Sequence, residues 1–232
     1  MRARGPRPRA FGHMPYLRLS PDVSFCRIRG AAIFLDLGRD RYFRLSAGAA
    51  AALERAASRP DVPLSGHEAD RLLRTGLFEP SSELHAIGPA ETGPIERSLA
   101  EEEDRASPSW LLLPAVLAEL ARTGRAIRRG RLPLLVDEHR RAKLLPCCAS
   151  KTATEQMAKR FLAVRRLVPV RPNCLLDSLA LVRFLRARSA SADLVFGVKL
   201  EPFGAHCWVQ SDDTILNDSI DTASDFTPVL VA

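Results

Sequence analysis

The chain is short of the residues that staple small secreted folds or build metal centres. It has five cysteines, an odd number with no C-x-x-C pair. A disulfide framework is therefore not expected, and reduced thiols in a cytoplasmic protein are. Cys147 and Cys148 are adjacent in a predicted loop and read as inert. The five histidines, His13, His67, His85, His139 and His206, show no ligand spacing, so no metal is expected, and no cofactor is expected either. No run reaches the length of a membrane span: Trp110 to Ala118 is apolar but short, and Pro114 breaks it. The N-terminus lacks the apolar core of a signal peptide. The formal net charge is +7, gathered in clusters such as Arg2, Arg4, Arg7 and Arg9, and Arg122, Arg125, Arg128, Arg129 and Arg131. Aromatic residues do not interleave with them, which argues against nucleic acid as the partner.

What is present suits two compact domains. The 232 residues are 46% hydrophobic, enough to bury two cores. Residues 1–13 are rich in Arg, Pro and Gly and read as a disordered basic tail. Structure signals begin just after Met14, an alternative start. Three strands are predicted at Val23 to Arg29, Ala31 to Leu37 and Arg41 to Leu45, close enough for an antiparallel meander. Ser46 and Ser65 are N-caps for helices over 47–57 and 66–75. A small sheet with these helices predicts a winged-helix-like module over 14–80. Residues 81–108 are rich in Pro, Ser, Gly and Glu and read as a linker with one weak acidic helix at 95–105. Helices are predicted at about 110–122, 135–145 and 152–168, followed by the helix of Cys174 and then strands. The order is that of an α+β fold.

Cys174 carries the chemistry. Pro172 disfavours helix for Arg171, and Asn173 is a preferred N-cap. Cys174 then takes the first helical position, where unsatisfied N–H groups and the helix dipole favour a thiolate. The residues behind it, Leu175 to Leu185, are apolar on nearly every face, so the helix is buried and makes a rigid mount. Residues 193–200 and 205–210 form a predicted hairpin. On its return strand His206, Trp208 and Gln210 share one face, and Cys207 and Val209 the other. A further short strand over 214–216 ends at Asn217-Asp218, which places Asp218 to orient the His206 imidazole. Taken singly, these residues read more simply as a small buried hydrophobe, a satisfied histidine and a turn aspartate. Their order and their placement together favour Cys-His-Asp chemistry.

The segments Asn173-Cys174-Leu175, Ala205-His206-Cys207-Trp208-Val209 and Leu216-Asn217-Asp218 resemble the lasso peptide maturation protease, the B protein, of transglutaminase-like fold, a relative of papain-like cysteine proteases. Phe34-Leu35-Asp36-Leu37 and Arg41 to Ser46 resemble the PqqD-like recognition element for precursor peptides. The resemblance covers roughly 20–80 and 110–232. It implies a leader-binding domain over 14–80, a linker over 81–108, and a cysteine protease domain over 109–232. It further implies Cys174 as nucleophile, His206 as general base and Asp218 as its orienter. Cys207 departs from the small residue more usual there. The implied reaction is removal of the leader from a ribosomal precursor peptide. The freed core amine then passes to a partner, an ATP-dependent macrolactam synthetase resembling asparagine synthetase.

An exposed strand edge at Arg41, Tyr42, Phe43, Arg44 and Leu45 would pair with an extended leader. Ala69, Leu72 and Leu73 on the following helix would wall the groove. The Cys174 N–H is one oxyanion donor, with the second unassigned. Two other readings stay open: a non-catalytic peptide- or DNA-binding regulator, and an acyl or amide transferase using the same three residues.

Overall fold

A computed structural model of the chain describes residues 16–102 and 106–232. The predicted basic tail over 1–13, the alternative start at Met14 and residues 103–105 of the predicted acidic helix lie outside the described residues. In chain order the strands are β1 (Tyr16–Leu19), β2 (Val23–Ile28), β3 (Ala31–Asp36), β4 (Arg41–Arg44), β5 (Phe78–Ser81), β6 (Arg97–Ser98), β7 (Asp193–Leu200), β8 (Phe203–Ser211), β9 (Thr214–Ile215) and β10 (Thr227–Val231). The helices are α1 (Ala47–Ser58), α2 (Gly66–Leu73), α3 (Leu113–Arg128), α4 (Leu132–Lys143), α5 (Lys151–Arg165), α6 (Cys174–Arg186) and α7 (Ile220–Ser224). A 3₁₀ turn over Trp110–Leu112 leads into α3.

Contacts divide the chain into two units. The first holds the residues up to Val23 and Arg44–Gly88, and the second holds Ser24–Phe43 and Pro89–Ala232. The predicted linker at 81–108 divides the chain along the sequence, whereas this division takes β2, β3 and most of β4 into the unit of Cys174. The reason lies in side-chain phase. Cys26, Ile33, Leu35 and Leu37 share one buried core with α3, α5, α6, β7 and β8.

In the first unit β1 and β5 pair antiparallel, Tyr16 opposite Ser81 and Leu19 opposite Phe78, a pairing the sequence did not announce. Ala49, Ala52, Leu53 and Ala56 are the buried residues of α1, a helical stripe of mostly small side chains that lets α2 pack close. At the head of α2 the Glu68 carboxylate accepts the Ser65 N–H at 3.0 Å, which satisfies one orphan donor.

The second unit has a five-stranded sheet in the order β10-β7-β8-β9-β6 and the three-stranded sheet β2-β3-β4. β7 and β8 run antiparallel with Gly197 opposite His206. β6 joins β9 in parallel. This corrects the predicted acidic helix: among the described residues of 95–102 there is no helix, because this stretch finds a sheet edge for its backbone. Glu96 N–H donates to Asp213 C=O at 2.8 Å and Leu99 N–H to Ile215 C=O at 2.9 Å. Helix α6 is the core element, with Leu179, Leu181, Phe184 and Leu185 each at 1% exposure or less. Each such side chain contributes roughly 1.5–3 kcal/mol by burial.

Strand β8 shows the predicted alternation. Cys207 and Val209 enter the core around α6. Trp208 enters a second cluster with Val195, Ile215 and Ala223. Room for its indole comes from Gly197, where an added Cβ would sit 2.6 Å from the Trp208 ring and 2.7 Å from Phe226 Cβ. Gly197→Ala is therefore expected to destabilise the second unit by about 1–3 kcal/mol through overpacking. Chemical denaturation followed by tryptophan fluorescence checks this, and an unchanged midpoint would contradict the packing described.

Candidate active site

The site is assembled from the head of α6, the middle of β8 and the chain after β9. Asn173 caps α6 as the sequence predicts: its Oδ1 accepts the Leu176 N–H at 2.9 Å. Cys174 is thereby fixed as the first helical residue. Its own N–H has no acceptor among the described residues, as the first turn of a helix requires.

The approach to Cys174 is held by a residue the sequence reading missed. Arg165 is 7% exposed. Its Nε donates to Asp177 Oδ1 at 2.7 Å. Its Nη1 and Nη2 each donate to Val170 C=O at 3.1 Å, and Nη2 also reaches Arg171 C=O at 3.3 Å. Asp177 Oδ2 in turn accepts the Asn173 N–H at 3.1 Å. One buried guanidinium thus fixes both the loop before the nucleophile and the first turn after it.

The three predicted residues come together. His206 Nε2 hydrogen-bonds Asp218 Oδ2 at 2.5 Å. Cys174 and His206 line one pocket and act on each other electrostatically, the imidazole lowering the thiol pKa and the thiol raising that of the imidazole. The His206 ring is flanked by Trp208 at 6.1 Å and Phe226 at 5.1 Å between centroids. Asp218 is set by its surroundings as well: Oδ1 accepts the Ser219 N–H at 2.8 Å, and its C=O accepts from Ser98 Oγ at 2.5 Å.

The electrostatics suit an ion pair. The interaction with His206 lowers the Cys174 pKa against the opposing effect of burial, with help from the N–H groups of Cys207 and Leu175. Asp218 and then Cys174 raise His206 to about 9. Burial raises the Asp218 carboxyl, but His206 and the Ser219 N–H outweigh it, so it stays below the ordinary range. Thiolate and imidazolium therefore coexist from the depressed Cys174 value up to about pH 9, and the two steps belong to the pair. Such a pair can attack a carbonyl and protonate the leaving group.

The Cys207 side chain points into the core, as predicted, and burial raises its pKa. Its backbone does something the sequence did not show, because its N–H helps to lower the Cys174 pKa. Its C=O accepts from Ser178 Oγ at 3.0 Å. Asn217 Nδ2 donates to Ser178 Oγ at 2.9 Å, and Asn217 Oδ1 accepts the Val209 N–H at 2.8 Å. These bonds stitch α6 to β8. The available signal was polarity: Asp177 and Ser178 interrupt the apolar run in the first turns of the helix.

The predicted peptide-contacting residues divide. Arg41, Tyr42, Phe43 and Arg44 form β4, an edge of its sheet, and Leu45 follows it. Tyr42 lines a pocket of about 190 Å³ with Leu35, Leu37, Asp40, Leu132, Cys174 and His206. Ala69 and Leu73 line an apolar groove in the first unit with Leu17, Leu64 and Leu84. Leu72 is fully buried and serves packing. Among the described residues no group of three or more His, Cys, Asp or Glu is arranged to hold a metal, and no helix is long and apolar enough to cross a membrane. All five cysteines are free.

Residues 109–231 match the family model of the transglutaminase-like superfamily. A 47-residue stretch is 43% identical to the microcin J25-processing protein McjB of Escherichia coli, covering 20% of this chain and 23% of that protein. The match thus spans less than a quarter of that relative's length. No solved structure matches the chain.

Alkylation of Cys174 by iodoacetamide should remain fast near neutral pH and slow as the pH falls below the depressed thiol value. In an acyl-transfer assay, kcat/KM should fall above about pH 9, where His206 loses its proton. Asp218→Asn removes the largest cause raising His206, so the alkaline limb should move to lower pH. An unmoved limb would show that Asp218 does not govern the imidazole.

Proposed function

The chain belongs to the transglutaminase-like superfamily, and we propose that within it this protein is the cysteine peptidase that removes the leader of a lasso peptide precursor. The observation that carries the reading is Cys174 at the head of a buried helix, sharing a pocket with a His206 that is hydrogen-bonded to Asp218. The partial identity to a microcin J25-processing protein supports the substrate class.

The chemistry follows from the geometry. The Cys174 thiolate attacks the carbonyl carbon of the last leader residue, and a C–S bond forms. The His206 imidazolium gives its proton to the nitrogen of the first core residue, and the C–N bond breaks. The core leaves with a free α-amine, and the leader remains as a thioester on Cys174. His206, now neutral, takes a proton from water. The hydroxide adds to the thioester, releasing the leader carboxylate and restoring thiolate and imidazolium. Asp218 holds the ring throughout. The core amine is the group that a separate ATP-dependent macrolactam synthetase would join to a side-chain carboxyl.

Leader recognition is assigned to the N-terminal residues. The β4 edge presents backbone to an extended peptide, and the groove at Ala69 and Leu73 offers apolar contact. Each is a candidate in its own unit.

Purified protein mixed with a precursor peptide should yield separate leader and core masses. Cys174→Ala should yield neither while still binding leader; undiminished cleavage by that variant would end the proposal. His206→Ala should lower kcat by about 10³-fold or more, and Asp218→Asn by less. Ala69→Glu should weaken binding of a fluorescent leader peptide about tenfold or more, while Cys174 alkylation stays at the wild-type rate. Unchanged leader affinity would remove the groove from the recognition surface.

A further inference from the structure

Acyl transfer at Cys174 needs two donors for the oxyanion, and the helix head supplies one. The Cys174 N–H has no acceptor among the described residues. The N–H groups of Leu175 and Cys207 act on the sulfur itself, lowering the thiol pKa. The pocket over the nucleophile is otherwise apolar, formed by Leu35, Leu37, Leu132, Leu175, Phe196 and Ala205. Its polar side chains besides Cys174, His206 and Cys207 are Asp40 and Tyr42. Asp40 as a carboxylate only accepts. Tyr42 is the one lining side chain left that can donate to an anion.

Its setting suits the task. Tyr42 sits edge-on to Phe203, with centroids 5.5 Å apart at 73°, which fixes the ring. Its hydroxyl has no hydrogen-bond partner among the described residues. It lies within electrostatic reach of Asp40 and Cys174.

We infer that the Tyr42 hydroxyl donates to the oxyanion of the tetrahedral intermediate, opposite the Cys174 N–H, an assignment that rests on the acyl-transfer reading of Cys174. When the carbonyl carbon bonds to sulfur, the electron pair of C=O moves to oxygen, and the phenol O–H turns to it without transferring its proton. Burial, and then the neighbouring Cys207 and Asp40, push this phenol up to about 12, so it remains a neutral donor throughout the working range. The residue comes from β4, within the stretch whose sequence suggests leader binding. The N-terminal strands thereby contribute to the chemistry itself.

The test is Tyr42→Phe in the full-length protein. The expected result is a fall in kcat of about 100-fold or more, with KM within about threefold. Iodoacetamide alkylation of Cys174, which forms no oxyanion, should keep its rate. A peptide aldehyde carrying the leader's C-terminal residues, which forms a tetrahedral adduct on Cys174, should lose affinity by a similar factor. The unreactive leader peptide should not. A kcat within threefold of wild type would overturn the assignment. So would alkylation slowed in parallel with cleavage, since Tyr42 would then be supporting the Cys–His pair. The chain has two tyrosines, so biosynthetic 3-fluorotyrosine in a Tyr16→Phe background labels position 42 alone and keeps the hydroxyl. Its fluorine resonance should shift on forming the aldehyde adduct, and an unshifted resonance would overturn the proposal without recourse to the Phe variant. A wild-type protein that is alkylated at Cys174 yet cuts no precursor overturns the peptidase reading and this assignment with it. Normal cleavage by both wild type and Tyr42→Phe overturns the role of Tyr42 alone.

Discussion

Arg165 sits where water scarcely reaches, and the position of the nucleophile depends on it. A guanidinium in such a place is costly unless every donor is used and an opposite charge is near. Here Asp177 supplies the charge, and the carbonyls of Val168, Val170 and Arg171 take the remaining N–H groups. Those carbonyls belong to the loop that carries the chain from α5 into α6. With that loop set, Asn173 can cap and Cys174 can occupy the first helical position. Removing the arginine would leave the half-buried Asp177 without its counter-charge and leave the loop carbonyls without donors.

The second tie is between helix and strand. The amide edge of β8 that faces away from β7 is not idle. Ser178 and Asn217 engage it, and the Cys207 N–H favours the Cys174 thiolate. Sulfur, imidazole and carboxylate come from three separate elements, yet each element is bonded to a neighbour through backbone groups. Rigid mounting of this kind is what a reaction geometry held to fractions of an ångström requires.

The sequence made local features legible. The Pro172-Asn173 cap, the apolar run of α6 and the period-two phase of His206, Trp208 and Cys207 are all short-range signals, and the structure shows each of them. The meander of β2, β3 and β4 was also readable from alternation. Which core it would join was not, because Ile33, Leu35 and Leu37 specify only that one face is buried. Tyr42 was placed with a leader groove for the same reason: an edge residue's local pattern does not say what its ring will meet. Arg165 gave no signal at all, since a buried arginine is defined by carbonyls that any sequence possesses. The stretch over 89–102 read as a linker because pairing with a distant strand leaves no periodicity in so short a run.

That stretch acts as a strap. Ala90 N–H bonds Phe25 C=O at 2.7 Å, the Gly93 C=O accepts from Gln210 Nε2 at 3.1 Å, and Ser98 Oγ holds the Asp218 backbone. The segment that matches the superfamily begins only at residue 109. Inheritance and mechanics therefore draw different borders. A chain cut at the family border would carry Ser98, the anchor of the Asp218 backbone, on the other fragment.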